Sequence, residues 1–328
     1  MANLKAKRRH HYVPVTYLNG FPDETGQLVA YPKDRPGSFR SRPDRIAFES
    51  YYYSQLTAAG SPDHSTMEDL FSEIEMPWPS IVDKLASRVP LTQGEASALC
   101  SFIALLRVRV PAMRDAIELF EAQTVRATLL TLGAHGQLPA PPPGMPDLWN
   151  NLEIPIDPNR SLQAMPHLLD GISQLFNRIG FEVLHNTSTE DFITSDNPVI
   201  YFDPDRPESQ IRPYEVTPFG RIEFLMPLTR RLILRGRSEL PILRTGAEAQ
   251  HRSLDDPSEV MRFNRLIAKF AYRIVFAGSG FEAFVADHAS QSPVPHLEIV
   301  PLPNGLGSSI RFVFGSRPEK PKWTGPRG

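Results

Sequence analysis

The stretch FEVLHNTSTEDFITSDNPVIYF, residues 181–202, decides the fold class of this chain. Apolar and polar residues alternate on both sides of the polar segment NTSTED, and that alternation is typical of β-strands with one buried face. We therefore predict an antiparallel hairpin over residues 181–202 that turns between Asn186 and Glu190. Residues 221–237, RIEFLMPLTRRLILRGR, predict a second strand pair with its bend near residues 227–230. Both patterns predict a mainly antiparallel sheet.

Helical patterns occupy most of the chain before residue 181. A capping box at residues 65–68 precedes apolar residues at helical spacing, and another amphipathic helix begins at about Glu95. Pro111 interrupts that second pattern, which predicts either one long kinked helix or two stacked helices. Residues 161–180 predict a further helix, and a last one covers about residues 257–276.

The order of the predicted elements indicates the architecture and the domain organisation. Helices come first, strands follow and a helix comes after them, with no internal repeat and no regular strand–helix–strand alternation, which indicates an α+β fold. We predict a helical N-terminal and central part packed on a mainly antiparallel sheet, all within one domain of residues 1–316. A proline-rich connector lies near residues 133–160, and we expect residues 317–328 to form a disordered tail.

The composition excludes several classes of protein. The 328 residues are 41% hydrophobic and carry a formal net charge of -2, so the chain can bury a large core and has no overall attraction for phosphate backbones or anionic membranes. The single cysteine, Cys100, excludes an intramolecular disulfide and CxxC metal sites. Because the chain has no run of about eighteen apolar residues, we expect a cytoplasmic protein that does not engage a membrane.

Four short segments together resemble a known bacterial family. They are the HYVP start with His11, the acidic helix with Glu68 and Glu75, the segment ALLRVRVP with Arg109, and the strand FITSDNPV around Asp196. In this order, and over nearly the whole chain, they resemble the family catalogued as domain of unknown function 4238. The resemblance implies membership of an uncharacterised bacterial family and implies no activity, so the function has to be inferred from the residues.

His11 and Asp196 are the central residues of the site that we predict. His10 and His11 point to opposite faces of an extended segment, and the apolar alternation after them places His11 on the inner face. A histidine packed in the core is the structural alternative. Asp196 ends a strand, where a carboxylate suits a metal ligand or a general base, although a simple Asx turn would also explain it. We expect the two side chains within hydrogen-bonding or shared-metal distance of each other.

Arg109, Glu75 and Glu68 complete the predicted site. The catalytic candidates are His11, Asp196, Arg109 and Glu75. The candidate ligands of a divalent metal ion are His11, Asp196 and Glu68. The structural alternative is an ion pair, because Arg109 lies at the edge of an apolar helix face and needs an anionic partner if it is buried. Each glutamate is a candidate for that partner.

The motif content leaves the function open between two classes. The chain has no P-loop, no dinucleotide-binding glycine motif, no HExxH zinc motif and no GxSxG nucleophile motif. We interpret it as a metal-dependent hydrolase acting on a phosphate-containing or nucleic-acid substrate. The alternative is a non-catalytic binding or regulatory module for a nucleic acid, nucleotide or protein partner. Three tyrosines at residues 51–53, beside Arg40, Arg42 and Arg45, are a candidate surface for that alternative.

Overall fold

The computed structural model describes residues 9–57, 59–145, 148–176, 179–217, 219–243, 248–301 and 308–325. Within these ranges the helices are α1 (Val15–Leu18), α2 (Thr66–Glu75), α3 (Trp78–Ala86), α4 (Gln93–Val108), α5 (Pro111–Ala134), α6 (Leu148–Asn151), α7 (Pro158–Phe176), α8 (Pro257–Phe270) and α9 (Glu282–His288). The strands are β1 (Arg9–His11), β2 (Leu28–Pro32), β3 (Phe39–Ser41), β4 (Phe48–Ser50), β5 (Gln55–Leu56), β6 (Pro62–Asp63), β7 (Gly180–Asn186), β8 (Thr194–Ser195), β9 (Ile200–Phe202), β10 (Glu223–Thr229), β11 (Leu232–Arg237), β12 (Gln250–Leu254), β13 (Ile274–Ala277), β14 (His296–Pro301) and β15 (Ser308–Val313). These elements confirm the α+β class.

Two sheets form the centre of the fold. The larger has the strand order β12-β7-β11-β10-β9, and the smaller has the order β3-β2-β13-β8. Strand β12 runs parallel to β7, and the other described pairs in these two sheets are antiparallel. Strands β10 and β11 form the pair predicted for residues 221–237, with a shift of register between Pro227 and Thr229. The prediction of a mainly antiparallel sheet is confirmed.

The predicted hairpin over residues 181–202 is wrong. Strands do form on both sides of the polar segment, but β7 pairs with β11 and β12, and β9 pairs with β10 at an edge of the larger sheet. Strand β8, between them in the chain, joins β13 in the smaller sheet. Alternation along one segment shows which side chains are buried, but it does not identify the strand that completes the hydrogen bonds.

Helices cover both faces of the larger sheet. One hydrophobic core joins a face of the sheet to residues of α4 and α7, and its sheet residues include Phe181, Val183 and Phe224. A second core joins the opposite face to α8, and its sheet residues include Leu184 and Leu225. Neighbouring residues of β7 and of β10 therefore point into different cores, as the period of a strand requires. The predicted packing of helices on the sheet is confirmed.

Helix α8 is shorter than the sequence predicts. It ends at Phe270 instead of at about Phe276, and residues 274–277 form β13. The carboxylate of Asp196 accepts hydrogen bonds from the N–H groups of Tyr272 and Arg273. Because those N–H groups bond to the Asp196 side chain, they do not continue the helical ladder. The chain is extended there and enters the smaller sheet.

Helices α4 and α5 are separate and meet at an angle of 56°, with Pro111 as the first residue of α5. No single helix in the described ranges is long and apolar enough to cross a membrane, and α4 and α5 reach that length and composition only when they are taken together. In the described part of residues 135–157, the short helix α6 is the only helix or strand. Residues 314–325 contain neither helix nor strand, and Lys320 contacts α5. The single domain and the disordered tail stay predictions.

Candidate functional site

Asp196 follows strand β8 and is completely buried. Its carboxylate accepts a hydrogen bond from the N–H of Tyr272 at 2.8 Å and another from the N–H of Arg273 at 2.7 Å. Burial raises the pKa of Asp196, the two hydrogen bonds lower it, and the net effect is a raised pKa. Backbone donors thus occupy both carboxylate oxygens, and Asp196 joins the end of β8 to the segment before β13.

The inner residue of the N-terminal histidine pair is His10. Its side chain is completely buried, and its Nδ1 accepts a hydrogen bond from the N–H of Tyr53 at 2.9 Å. His11 is partly exposed, and burial is the largest effect in lowering its pKa. The prediction that His11 takes the inner face is wrong, because α1 begins at Val15 and the later apolar residues do not continue a strand. Within the described ranges no hydrogen bond or ion pair joins His11 to Asp196: the Asp196 oxygens accept from the N–H groups of Tyr272 and Arg273, and the His11 Nε2 atom has no hydrogen-bond partner.

Arg109 makes the ion pair that the sequence predicts as the structural alternative. It follows α4 and is 2% exposed, and its guanidinium donates hydrogen bonds to the carboxylate of Glu75 and to the carbonyl oxygen of His11. The carboxylate of Glu68 lies 4.0 Å from the same guanidinium. The ring centroid of Phe71 is 4.6 Å from it. Arg109 therefore links α2 and α4 to strand β1, and its guanidinium N–H groups donate hydrogen bonds to other parts of the protein.

The predicted metal ligands His11, Asp196 and Glu68 do not form a ligand set. Asp196 binds the backbone before β13, whereas Glu68 lies beside Arg109. In the part of the chain that the structure describes, no group of three or more histidine, cysteine, aspartate or glutamate side chains is placed to hold a metal ion. The prediction of a metal site at these three residues is corrected, because the fold places their side chains in different environments.

A cavity of about 580 Å³ lies beside the C-terminal end of α4 and the first turns of α5. Arg107, in the last turn of α4, lines this cavity and is 5% exposed, and we call the cavity the Arg107 pocket. The guanidinium of Arg107 stacks on the ring of Tyr214 at 3.6 Å from the ring centroid. Its Nε and Nη1 atoms are buried and have no hydrogen-bond partner in the described structure. Buried guanidinium N–H groups normally have acceptors, so the lack of acceptors for these two nitrogen atoms of Arg107 requires an explanation.

Two further arginines line the Arg107 pocket. Arg206 pairs with Glu215, with a distance of 3.0 Å between nitrogen and oxygen. Arg212 lies 5.7 Å from the ring centroid of Phe314 and makes no ion pair with a carboxylate of the described residues. Three arginines against one glutamate give the lining a formal excess of two positive charges. This excess favours an anionic ligand.

The other walls of the Arg107 pocket are mostly apolar. They include Pro213, Pro293, Pro295, Phe312 and Phe314. Phe312 is 57% exposed, which is high for an aromatic ring. Small-molecule sites typically combine apolar walls with a few polar groups that set the orientation of the ligand, and cavities of this size are usual for them.

Asn197 holds Tyr214 beneath the guanidinium of Arg107. The amide of Asn197 donates hydrogen bonds to the Tyr214 hydroxyl at 2.6 Å and to the carbonyl oxygen of Phe270 at 2.8 Å. The Tyr214 hydroxyl donates in turn to the carbonyl oxygen of Val199 at 3.1 Å. Tyr214 has a φ of 61°, in the left-handed region that non-glycine residues rarely adopt, so these contacts hold a strained position. The segments ALLRVRVP and FITSDNPV therefore meet at this pocket.

The fold and the pocket define an α+β protein with a cationic cavity beside the C-terminal end of α4 and the first turns of α5. The chain belongs to the family described as Protein of unknown function (DUF4238), whose model matches residues 9–281. The predicted family resemblance is thereby confirmed. Comparisons with curated proteins and with solved structures found no match. Arg107, Asn197 and Tyr214 lie within the family match, whereas Phe312 and Phe314 lie beyond it.

Two of the segments that the sequence singles out meet at the Arg107 pocket, but the residues that line or support it are neighbours of the predicted ones. Arg107 lies two positions before Arg109, and Asn197 follows Asp196. An arginine inside the apolar run ALLRVRV is a candidate for a buried cation, and this signal applies to Arg107 as much as to Arg109. Tyr214 lies in a stretch without periodicity, so the sequence offers no comparable signal for it.

Proposed function

We propose that this protein binds a small phosphate-bearing organic molecule, such as a nucleotide, in the Arg107 pocket. One observation carries the proposal. The guanidinium of Arg107 is 5% exposed at the wall of a cavity, and two of its nitrogen atoms have no hydrogen-bond partner in the described structure. A ligand oxyanion in the cavity would neutralise this charge.

The energetics of a buried arginine support an anionic ligand. An unpaired charge away from water is unfavourable, and an oxyanion that enters the pocket offsets this cost. Arg107 and Arg212 are the two pocket arginines without a carboxylate partner among the described residues. A phosphomonoester carries a charge of about -1.5 to -2 at neutral pH, which matches two guanidinium groups better than a single carboxylate does. The apolar walls would cover the rest of the ligand.

This proposal corresponds to the non-catalytic alternative from the sequence. The residues expected to hold the metal lie in separate environments, so we do not propose a metal-dependent hydrolase, which stays a prediction from the sequence alone. We also propose a cytoplasmic location and a bacterial origin, which rest on the lack of a long apolar run and on the family resemblance. The binding of a ligand can be tested without any assumption about catalysis.

Isothermal titration calorimetry with AMP, ribose 5-phosphate and acetate tests the proposal. Wild-type protein should bind the two phosphate compounds and not acetate. Arg107→Gln should weaken the binding of AMP by about tenfold or more, because hydrogen bonds to charged groups contribute roughly 1.5–3 kcal/mol. Arg160→Gln is the matched control, because Arg160 is 61% exposed, pairs with Glu121 and does not line the pocket.

Melting curves of both variants show whether they are folded. The proposal fails if the wild type binds neither phosphate compound. It also fails if a folded Arg107→Gln variant binds AMP as the wild type does. Tighter binding of acetate than of ribose 5-phosphate would contradict the phosphate class.

A further inference from the structure

Two buried carboxylates, Asp115 and Glu118, lie one turn apart near the start of α5. The side chain of Asp115 is 14% exposed and that of Glu118 is 3% exposed. The Tyr272 hydroxyl donates a hydrogen bond to Asp115 at 2.5 Å, and the Ser161 hydroxyl donates one to Glu118 at 3.1 Å. Hydroxyl donors do not neutralise a negative charge, so buried carboxylates of this kind need a cation.

Lys320 supplies that cation. Its Nζ lies 2.8 Å from the Asp115 carboxylate and also contacts the carboxylate of Glu118. Burial lowers the pKa of Lys320, but the two carboxylates outweigh burial and raise it. Arg273 gives Asp115 a second cation at 3.3 Å, whereas Glu118 has no other ion-pair partner in the described ranges. Removal of Lys320 would leave Glu118 buried and unneutralised.

Lys320 belongs to an extended segment that leaves open space beside it. Residues 314–325 contain no helix or strand, and Pro318 and Pro321 flank Lys320. Cavities of about 260 and 1010 Å³ adjoin the segment, and Asp115, Arg273 and Lys320 line both of them. The segment therefore lies like a bound peptide in a groove wider than itself. We call the surface formed by Asp115, Glu118, Ser161, Tyr272 and Arg273 the lysine groove.

The lysine groove and its occupant come from different parts of the chain. All five groove residues lie within the family match of residues 9–281, and the segment with Lys320 lies beyond it. The charge of Glu118 is thus neutralised by a segment outside the matched region. A lysine on an extended segment of another protein would satisfy the same two carboxylates with the same chemistry.

We propose that the lysine groove is a docking site for a lysine-bearing, proline-flanked extended segment of a partner protein, and that residues 316–325 occupy it as a tethered competitor. The two carboxylates select a cationic side chain by charge, and Lys320 is the one that the chain supplies. The prolines keep the segment extended and reduce the conformational entropy that it loses on binding. This site is separate from the Arg107 pocket and does not depend on the ligand proposed there.

Fluorescence anisotropy with a labelled peptide SRPEKPKWTG, residues 316–325, tests the proposal on the full chain. The Lys320→Ala chain should bind this peptide about tenfold or more tightly than the wild type does, because its own segment no longer competes at high effective concentration. The same peptide with Lys320→Ala is the matched control and should not bind. Glu118→Gln, added to the Lys320→Ala chain, should remove binding of the unaltered peptide.

Each result either supports or overturns the proposal. Failure of the unaltered peptide to bind the Lys320→Ala chain overturns it, and so does equal binding of the altered and unaltered peptides. Equal affinity of the wild-type and Lys320→Ala chains overturns the role of the segment as a competitor. If the Glu118→Gln variant does not fold, as judged by its melting curve, the altered peptide decides, because it leaves the protein unchanged.

Discussion

Replacement of Arg109 by leucine removes a buried cation from the contact between α2, α4 and β1. Arg109 is 2% exposed, donates hydrogen bonds to Glu75 and to the His11 carbonyl oxygen, and lies 4.0 Å from Glu68. Loss of one partner of a buried ion pair costs about 3–5 kcal/mol. Because the side chains of Glu75 and Glu68 are 18% and 13% exposed, water solvates them in part. We therefore expect Arg109→Leu to lower the free energy of unfolding by about 3 kcal/mol.

Urea unfolding followed by circular dichroism measures this change, and Arg160→Leu is the matched control. Arg160 also pairs with a glutamate, Glu121, at 3.2 Å, but it is 61% exposed, and exposed pairs contribute about 0–1 kcal/mol. The unfolding midpoint should fall for Arg109→Leu and stay nearly unchanged for Arg160→Leu, with the same slope in both variants. Free energies of unfolding that agree within about 0.5 kcal/mol between the two variants would refute the reasoning about Arg109.

Further predictions concern substitutions at four single positions. Arg107→Met should change the free energy of unfolding by less than about 1 kcal/mol, because loss of an unpaired buried charge offsets loss of the Tyr214 contact; a decrease of about 3 kcal/mol in urea unfolding would instead indicate an anionic partner within the protein. Burial lowers the pKa of Lys33 from 10.5 to about 8, so the folded protein binds this proton more weakly than the unfolded chain does. The free energy of unfolding of the wild type, relative to that of Lys33→Met, should therefore rise between pH 8 and pH 10.5. A difference between the two free energies, measured by urea unfolding, that stays constant over that range would contradict this prediction. Gly236→Ala should destabilise by about 1–3 kcal/mol, because its Cβ would lie 2.7 Å from the side chain of Ile179. Gly171→Ala, which has open space in α7, should stabilise by about 0.5–1 kcal/mol, and equal melting temperatures of these two variants would refute the packing argument.

Local patterns in the sequence were sufficient for several parts of the fold. The pair β10 and β11 follows from two alternating runs joined by a short bend, and its partners are neighbours in the chain. The position of the interruption between α4 and α5 follows from Pro111, which lacks the N–H that a continuous helix needs, although the sequence left a kinked helix and two separate helices both open. A buried ion pair of Arg109 follows from an arginine beside an apolar face, since a buried cation requires an anion, although the sequence left Glu68 and Glu75 open as its partner.

From the sequence we identified two segments that meet at the Arg107 pocket, but not the residues of those segments that line or support it. ALLRVRVP and FITSDNPV do meet in the fold, but Arg107 and Asn197 line or support the pocket, while Arg109 and Asp196 bind within the core. Both arginines lie in the same apolar run, so the sequence makes each of them a candidate for burial and does not show which one pairs with a carboxylate.

The sequence by itself determined the types of the main elements, the α+β class and the family of this protein, because periodicity and burial are properties of neighbouring residues. Only the tertiary structure decided that β7 pairs with β11 and β12, that His10 is the buried histidine, and that Arg107 stacks on Tyr214. The physical reason is the same in each case. A strand's hydrogen-bond partner and the surroundings of a buried charge depend on residues far away in the chain, and the local pattern around one residue does not contain them.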